Sequence, residues 1–224
     1  VWEPLFGEFF FGTDQIGRDM LSMLIYGARN MIALALLTTG CAFGLGSLLG
    51  FLAATMGGWV DQVLSRFVDV VISIPTLIFA LIVLSSTGTS IFALVTVIAI
   101  IYAMPVYRIA RAVAMDIEVM DYVEAARLRG EGLWWIMRKE ILPNALTPLA
   151  AEFGLRFCFV FLLISGLSFL GLGLQPPLAD WGAMVRDNGG GIAWGFMHPR
   201  GPATCVALLT IGSNLIVDAV VQKA

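Results

Sequence analysis

Charge is scarce in this chain. Only 13% of its 224 residues are charged, lysine occurs twice (Lys139 and Lys223), and histidine once (His198). Soluble domains carry about a quarter charged residues, so the composition excludes an ordinary cytosolic protein. With no surplus of basic over acidic residues (net −3), the chain has no charge for coating nucleic acid. Neither lysine follows a glycine, so no G-x-x-x-x-G-K-[ST] phosphate loop exists and direct nucleotide hydrolysis is excluded. One histidine leaves no basis for a histidine metal site. The three cysteines, Cys41, Cys158 and Cys205, fall in separate apolar stretches and read as packing residues, not as a disulfide framework. Gly166-Leu-Ser168-Phe-Leu170 misses the last glycine of a serine-nucleophile turn, and no Cys/His pair or H-E-x-x-H is present. No enzyme class is complete, so the chain reads as a non-enzyme.

Apolar residues fill the space. They make up 59% of the chain, with a mean hydropathy of +0.90. Hydrocarbon is crossed by about 20 mostly apolar residues, and five such stretches are expected, at about 31–56, 68–87, 90–110, 147–174 and 203–221. Pro75 and Pro105 fall within or near them and are tolerated where neighbouring helices satisfy the freed carbonyls. The densest basic cluster runs from Arg108 to Lys139, which assigns that segment to the cytoplasm. Alternation then puts 175–201 and the first thirty residues outside, and an upstream span is expected before them. No repeat or linker divides the chain, so a single all-α polytopic membrane bundle is expected over 1–224.

Three constellations stand out within that bundle. Gly40-x-x-x-Gly44 and Gly46-x-x-x-Gly50 allow close helix approach, inside the bundle or at a subunit interface. Glu152 and Arg156 lie four apart on one helical face at membrane depth, as a structural ion pair or as part of a substrate path. The loop at about 111–143 contains Asp121 to Arg129, which reads as a short helix. Gly130 follows as its left-handed cap, and Pro143 suits the first turn of the next span. Ala125 and Ala126 are small enough to let that helix sit deep in a groove on another protein. Asp69 receives no sharper role. The segment 175–201, with Trp181 and Trp194 expected at its surface, suits an extracytoplasmic loop.

Glu124-Ala125-Ala126, Gly130 and Ile141-Leu142-Pro143 together resemble the "EAA" loop of permease subunits of bacterial ABC importers. Gly12-Thr-Asp14-Gln-Ile-Gly-Arg18-Asp19 with Tyr26-Gly-Ala-Arg29, and Leu167-Ser-Phe-Leu-Gly-Leu-Gly173 with Gln175-Pro-Pro177 and Trp181-Gly182, are similar to motifs of the dipeptide/oligopeptide/nickel subfamily, in particular its C-type permease. The resemblance covers nearly the whole chain. It departs at Met23, where a basic residue is common, and at Ile164, where a glutamate is common. It implies the ABC permease fold with an additional N-terminal span, in the bacterial inner membrane. It implies a path shared with a second permease and an extracytoplasmic binding protein that delivers peptide or a related solute, nickel complexes among the possibilities. It also implies two cytoplasmic ATPase subunits that bind the ATP and magnesium, with coupling through Glu124, Ala125, Ala126, Gly130, Leu142 and Pro143. The rival from a different class is an ion-coupled secondary transporter, which would carry an inverted repeat and midplane ionisable residues.

Overall fold

The computed structural model describes residues 11–194 and 200–221. Among these every regular element is helical: α1 (Met20–Met56), α2 (Gly58–Ile72), α3 (Thr76–Thr87), α4 (Ile91–Glu118), α5 (Asp121–Leu128), α6 (Leu133–Ile136), a π turn (Met137–Ile141), α7 (Leu142–Phe169), α8 (Trp181–Asn188), a 3-10 turn (Gly189–Trp194) and α9 (Arg200–Val221). The one bridge among the described residues is Thr13 to Asp19. Four helical segments, α1, α4, the continuous α6–π–α7 run and α9, are long and apolar enough to cross a membrane. The pair α2 and α3 would make a fifth span if counted together, but it bends by 87° at its break. The fold is an all-α membrane bundle.

Several boundaries differ from the expected ones, each for a local reason. α1 starts at Met20, well ahead of 31, because Asp19 caps it by accepting from the N–H groups of Leu21 and Ser22. The expected single span at 68–87 is broken, since Pro75 donates no hydrogen bond and restrains the residue before it. Its first half extends back to Gly58, ten residues ahead of the expected start, as helix α2. α4 continues past 110 to Glu118, which makes Arg111 a helix residue and not a loop residue. α7 ends at Phe169 instead of 174. Gly171 (φ +90°) takes the left-handed position, with its N–H on the Ser168 carbonyl and the Leu172 N–H on the Leu167 carbonyl.

At the start of that span, Pro143 does not open a free helix. The chain is already helical from Leu133, and the turn before the proline widens to π geometry. A proline ring clashes with the carbonyl four residues back, here Lys139, and the wide turn around that residue relieves it.

Glycine sets the central contact. A Cβ on Gly46 would meet the Ala103 carbonyl at 2.6 Å, and one on Gly50 the Tyr107 carbonyl and Arg111 nitrogen at 2.8 Å. The order of these contacts shows that α1 and α4 run parallel, as two spans separated by a returning one must. Gly40 and Gly44 face open space. The interior then divides along the bundle. One cluster holds Met31, Leu34, Leu94, Ile98, Phe161, Ile164 and Trp181. A second, at the opposite end, holds Phe51, Ala110, Ala114, Val123, Ala126, Ile136, Met137 and Ile141. Ile164 is fully buried in the first of these clusters.

Candidate functional site: the α5 element and the interlocked far end

α5 projects beyond α4 as one short helix between two spans, and its sequence explains where it stops. Gly130 has φ +83°. Its N–H donates to the Arg127 carbonyl at 2.9 Å, and the Glu131 N–H donates to the Ala126 carbonyl at 3.2 Å. This paired pattern closes a helix through a left-handed residue, which glycine adopts without a Cβ penalty. The cap is as expected from the sequence.

The two alanines divide their roles. Ala125 and Glu124 are exposed. Ala126 is not: it is fully buried with Val123 against Ile136, Met137 and Ile141. The expectation that Ala126 faces a groove on another protein is therefore corrected. Its small size lets α5 lie close against this chain's own α6 and α4. Leu142 and Pro143 are exposed on the next turn. Around them Val119, Tyr122, Leu128 and Trp134 are exposed as well, Leu128 at 84%. Arg127 pairs with Glu118, and the Arg129 guanidinium lies 5.7 Å from the Trp135 ring centre. The result is a rigid, apolar-edged knob of a kind that marks an interaction surface.

Glu152 and Arg156 form the expected i,i+4 ion pair in α7, partly buried, with Arg156 also 5.9 Å from the Phe159 ring centre. Sequence reasoning missed two further pairs, Arg111 with Asp61 and Arg108 with Asp69, which join α4 to α2. The signal was available, since Asp61, Ser65 and Asp69 recur every four residues and so share one face of α2. Ser65 and the Tyr107 hydroxyl, 3.0 Å apart, lie between the pairs.

At the opposite end two of the sequence motifs meet. Asp14 organises its own loop: Oδ1 accepts from the Ile16 and Arg18 N–H groups, and Oδ2 from Arg18 Nε at 2.7 Å. Burial would raise its carboxyl, but the donations from Arg18 and Ile16 outweigh that and hold it below the usual value. Asp180 caps α8 through the Gly182 and Ala183 N–H groups and accepts from Ser168 Oγ at 2.5 Å. Burial pushes its carboxyl up despite these donors. Trp181 was expected at the surface. It is 5% exposed, donates from Nε1 to the Leu24 carbonyl at 2.9 Å, and stands edge-on to Phe161. Its ring occupies the space a Cβ on Gly27 would need, at 2.8 Å. Gly173 and Gly182 likewise leave room for Ser168 and the Ser165 carbonyl. Both motifs thus close one end of the bundle. The side chain of Trp194 and residue His198 lie outside what is described.

A helical membrane bundle with a projecting short helix between spans fits the permease component of an ABC importer, and comparison with known proteins shows that class. The chain belongs to the family described as binding-protein-dependent transport system inner membrane component, which it matches over residues 46–223. It is 34% identical over 94% of its length to the Probable D,D-dipeptide transport system permease protein DdpC of Escherichia coli, covering 70% of that protein. It is also 34% identical to the Di/tripeptide transport system permease protein DppC of Pseudomonas aeruginosa, with 94% of this chain and 70% of that one covered. Among solved structures it resembles the MetNI methionine ABC transporter in an inward-facing form, with a TM-score of 0.72 and 18% identity over 91% of this chain and 97% of that one. An amino acid ABC transporter solved with histidines gives a TM-score of 0.62 and 22% identity over 91% and 95% of the two chains. Those two likenesses carry the fold. Membership of a binding-protein-dependent transport family favours ATP-driven import over the ion-coupled rival.

Proposed function

We propose that this chain and a second permease together enclose a path for peptide or peptide-like solutes across a bacterial inner membrane. An extracytoplasmic binding protein supplies the solute. Two ATPase subunits bind the ATP and magnesium, and α5 of this chain docks into a groove on one of them. The permease makes and breaks no covalent bond; it converts ATPase closure into a change of access. The substrate class rests on the dipeptide and di/tripeptide permeases among its relatives.

One observation carries the coupling role: α5 is a stiff, self-capped helix held to its own spans through Ala126 and Val123 while Glu124, Ala125, Tyr122 and Leu128 stay free. A force on its exposed face passes through Ile136, Met137 and Ile141 into α7, which Leu142 and Pro143 begin. Cytoplasmic placement follows from the basic residues near α5.

The test is reconstitution of the complete complex in proteoliposomes. ATP-dependent uptake of a dipeptide is expected, and uptake driven by an ion gradient without ATP would overturn the reading. Ala125→Trp should block ATPase co-purification and leave the bundle folded. Ala126→Trp, by contrast, should destabilise the permease itself, because it overfills a closed core. Normal transport by the Ala125→Trp complex would remove α5 from the coupling role.

A further inference from the structure

Ion pairs near the surface of an apolar bundle demand an explanation, because ionisable groups at membrane depth are costly unless they face water or each other. α2 runs antiparallel to α4, shown by the sequence of contacts Asp61–Arg111, Ser65–Tyr107 and Asp69–Arg108. Arg108 lies ten positions before the end of α4 at Glu118, which at about 1.5 Å per residue puts it some ~15 Å up the helix from the α5 end. At that depth Arg108 and Asp69 keep 54% and 45% of their side chains exposed.

Part of this exposure opens onto a shallow surface cleft. A cavity of about 520 Å³ is lined by Asp61, Gln62, Arg66, Asp69 and Arg111, and one of about 200 Å³ adjoins it through Ser65, Asp69 and Arg111. Arg66 differs from the other two arginines here. It lines the larger cavity and joins none of the ion pairs among the described residues. Arg66 and Asp69 are three apart on α2, adjacent on its surface, yet Asp69 bonds to Arg108. The cleft therefore offers a free cation beside an anion that is only half shielded.

We propose that this cleft is a subsite for the two charged ends of a zwitterionic peptide in the half of the path nearer α5, with Arg66 receiving the carboxylate and Asp69 the ammonium group. This rests on the peptide-permease reading and deepens it. A guanidinium meets a carboxylate in a two-pronged arrangement that a lone ammonium cannot reproduce. Asp69 can turn from Arg108 to a solute ammonium because both side chains are about half exposed, which leaves the released guanidinium solvated. The paired Asp61 and Arg111 add no net charge of their own to the wall.

The measurement is equilibrium binding of radiolabelled alanyl-alanine to the complete permease–ATPase complex in nanodiscs, without binding protein. Displacement is expected with unlabelled alanyl-alanine and not with N-acetyl-alanyl-alanine amide, which lacks both charges. Arg66→Gln should weaken binding roughly tenfold, as loss of one charged hydrogen bond does, and Arg66→Lys should recover part of it. Asp69→Asn should weaken it too. A complex that transports the dipeptide yet binds none, equal competition by the capped peptide, or unchanged binding in both Arg66→Gln and Asp69→Asn would overturn the subsite and leave the transport reading standing. Absence of ATP-driven dipeptide uptake by the wild-type complex would instead overturn the reading beneath it.

Discussion

At the scale of single residues, the partly buried charges of the spans are held in pairs, Glu152 with Arg156 and Asp61 with Arg111. Glu152 and Arg156 illustrate the cost of losing one. Arg156→Leu leaves a partly buried carboxylate without its cation, whereas changing both residues to apolar ones removes the problem. The single change is expected to lower thermal stability in detergent by about 3 kcal/mol more than the double change; equal effects would show that the pair does not stabilise the bundle. Asp180 makes a different prediction. Burial raises its carboxyl above the 3.8 of a free aspartate. A group raised on folding adds stability that is fully present below its unfolded value and is lost as pH rises through the folded one. Relative to Asp180→Asn, the wild-type complex should therefore gain thermal stability as pH falls from about 7 towards 4. A difference that is flat or runs the other way would contradict the buried placement.

At the scale of elements, backbone proximity decides which glycines matter. Gly40 and Gly50 read alike in the sequence, both being ends of G-x-x-x-G pairs. In the fold only Gly50 lies against backbone, with the Tyr107 carbonyl and Arg111 nitrogen 2.8 Å from where a Cβ would stand. Gly50→Leu should destabilise the isolated subunit by about 1–3 kcal/mol or more, since neither α1 nor α4 can retreat without opening the core. Gly40→Leu should leave it unchanged in the same assay. Gly130→Val acts on conformation alone. No atom lies within 4 Å of the added carbon, but a β-branched residue resists φ +83°. It is expected to end α5 wrongly and cut transport while the spans still fold, as read by uptake alongside detergent stability.

At the scale of the whole molecule, the α1 start, the Asp14 loop and α8 gather at one end and α5 at the other, because α1 and α4 run parallel between them. The end built by Asp14, Trp181 and Asp180 is expected to be extracytoplasmic. Asn188 is buried and a poor probe, so the reporter belongs at Gly190, which is exposed with open space around it. With Cys41, Cys158 and Cys205 replaced by alanine, Gly190→Cys should react with an impermeant thiol reagent added outside intact cells. Reaction only after the inner face is opened would invert the topology. The lipid-crossing helical class, the apolar stretches of α1, α4, α7 and α9, the Gly130 cap and the Glu152–Arg156 pair were legible in the sequence, because hydropathy, glycine and i,i+4 spacing act over a few neighbouring residues. Tertiary structure alone decided that Ala126 and Trp181 turn inward, and that the polar face of α2 meets Arg111 and Arg108 of α4. Those outcomes depend on which helix faces which: the spacing of Asp61, Ser65 and Asp69 marks a shared face but does not say which helix it meets.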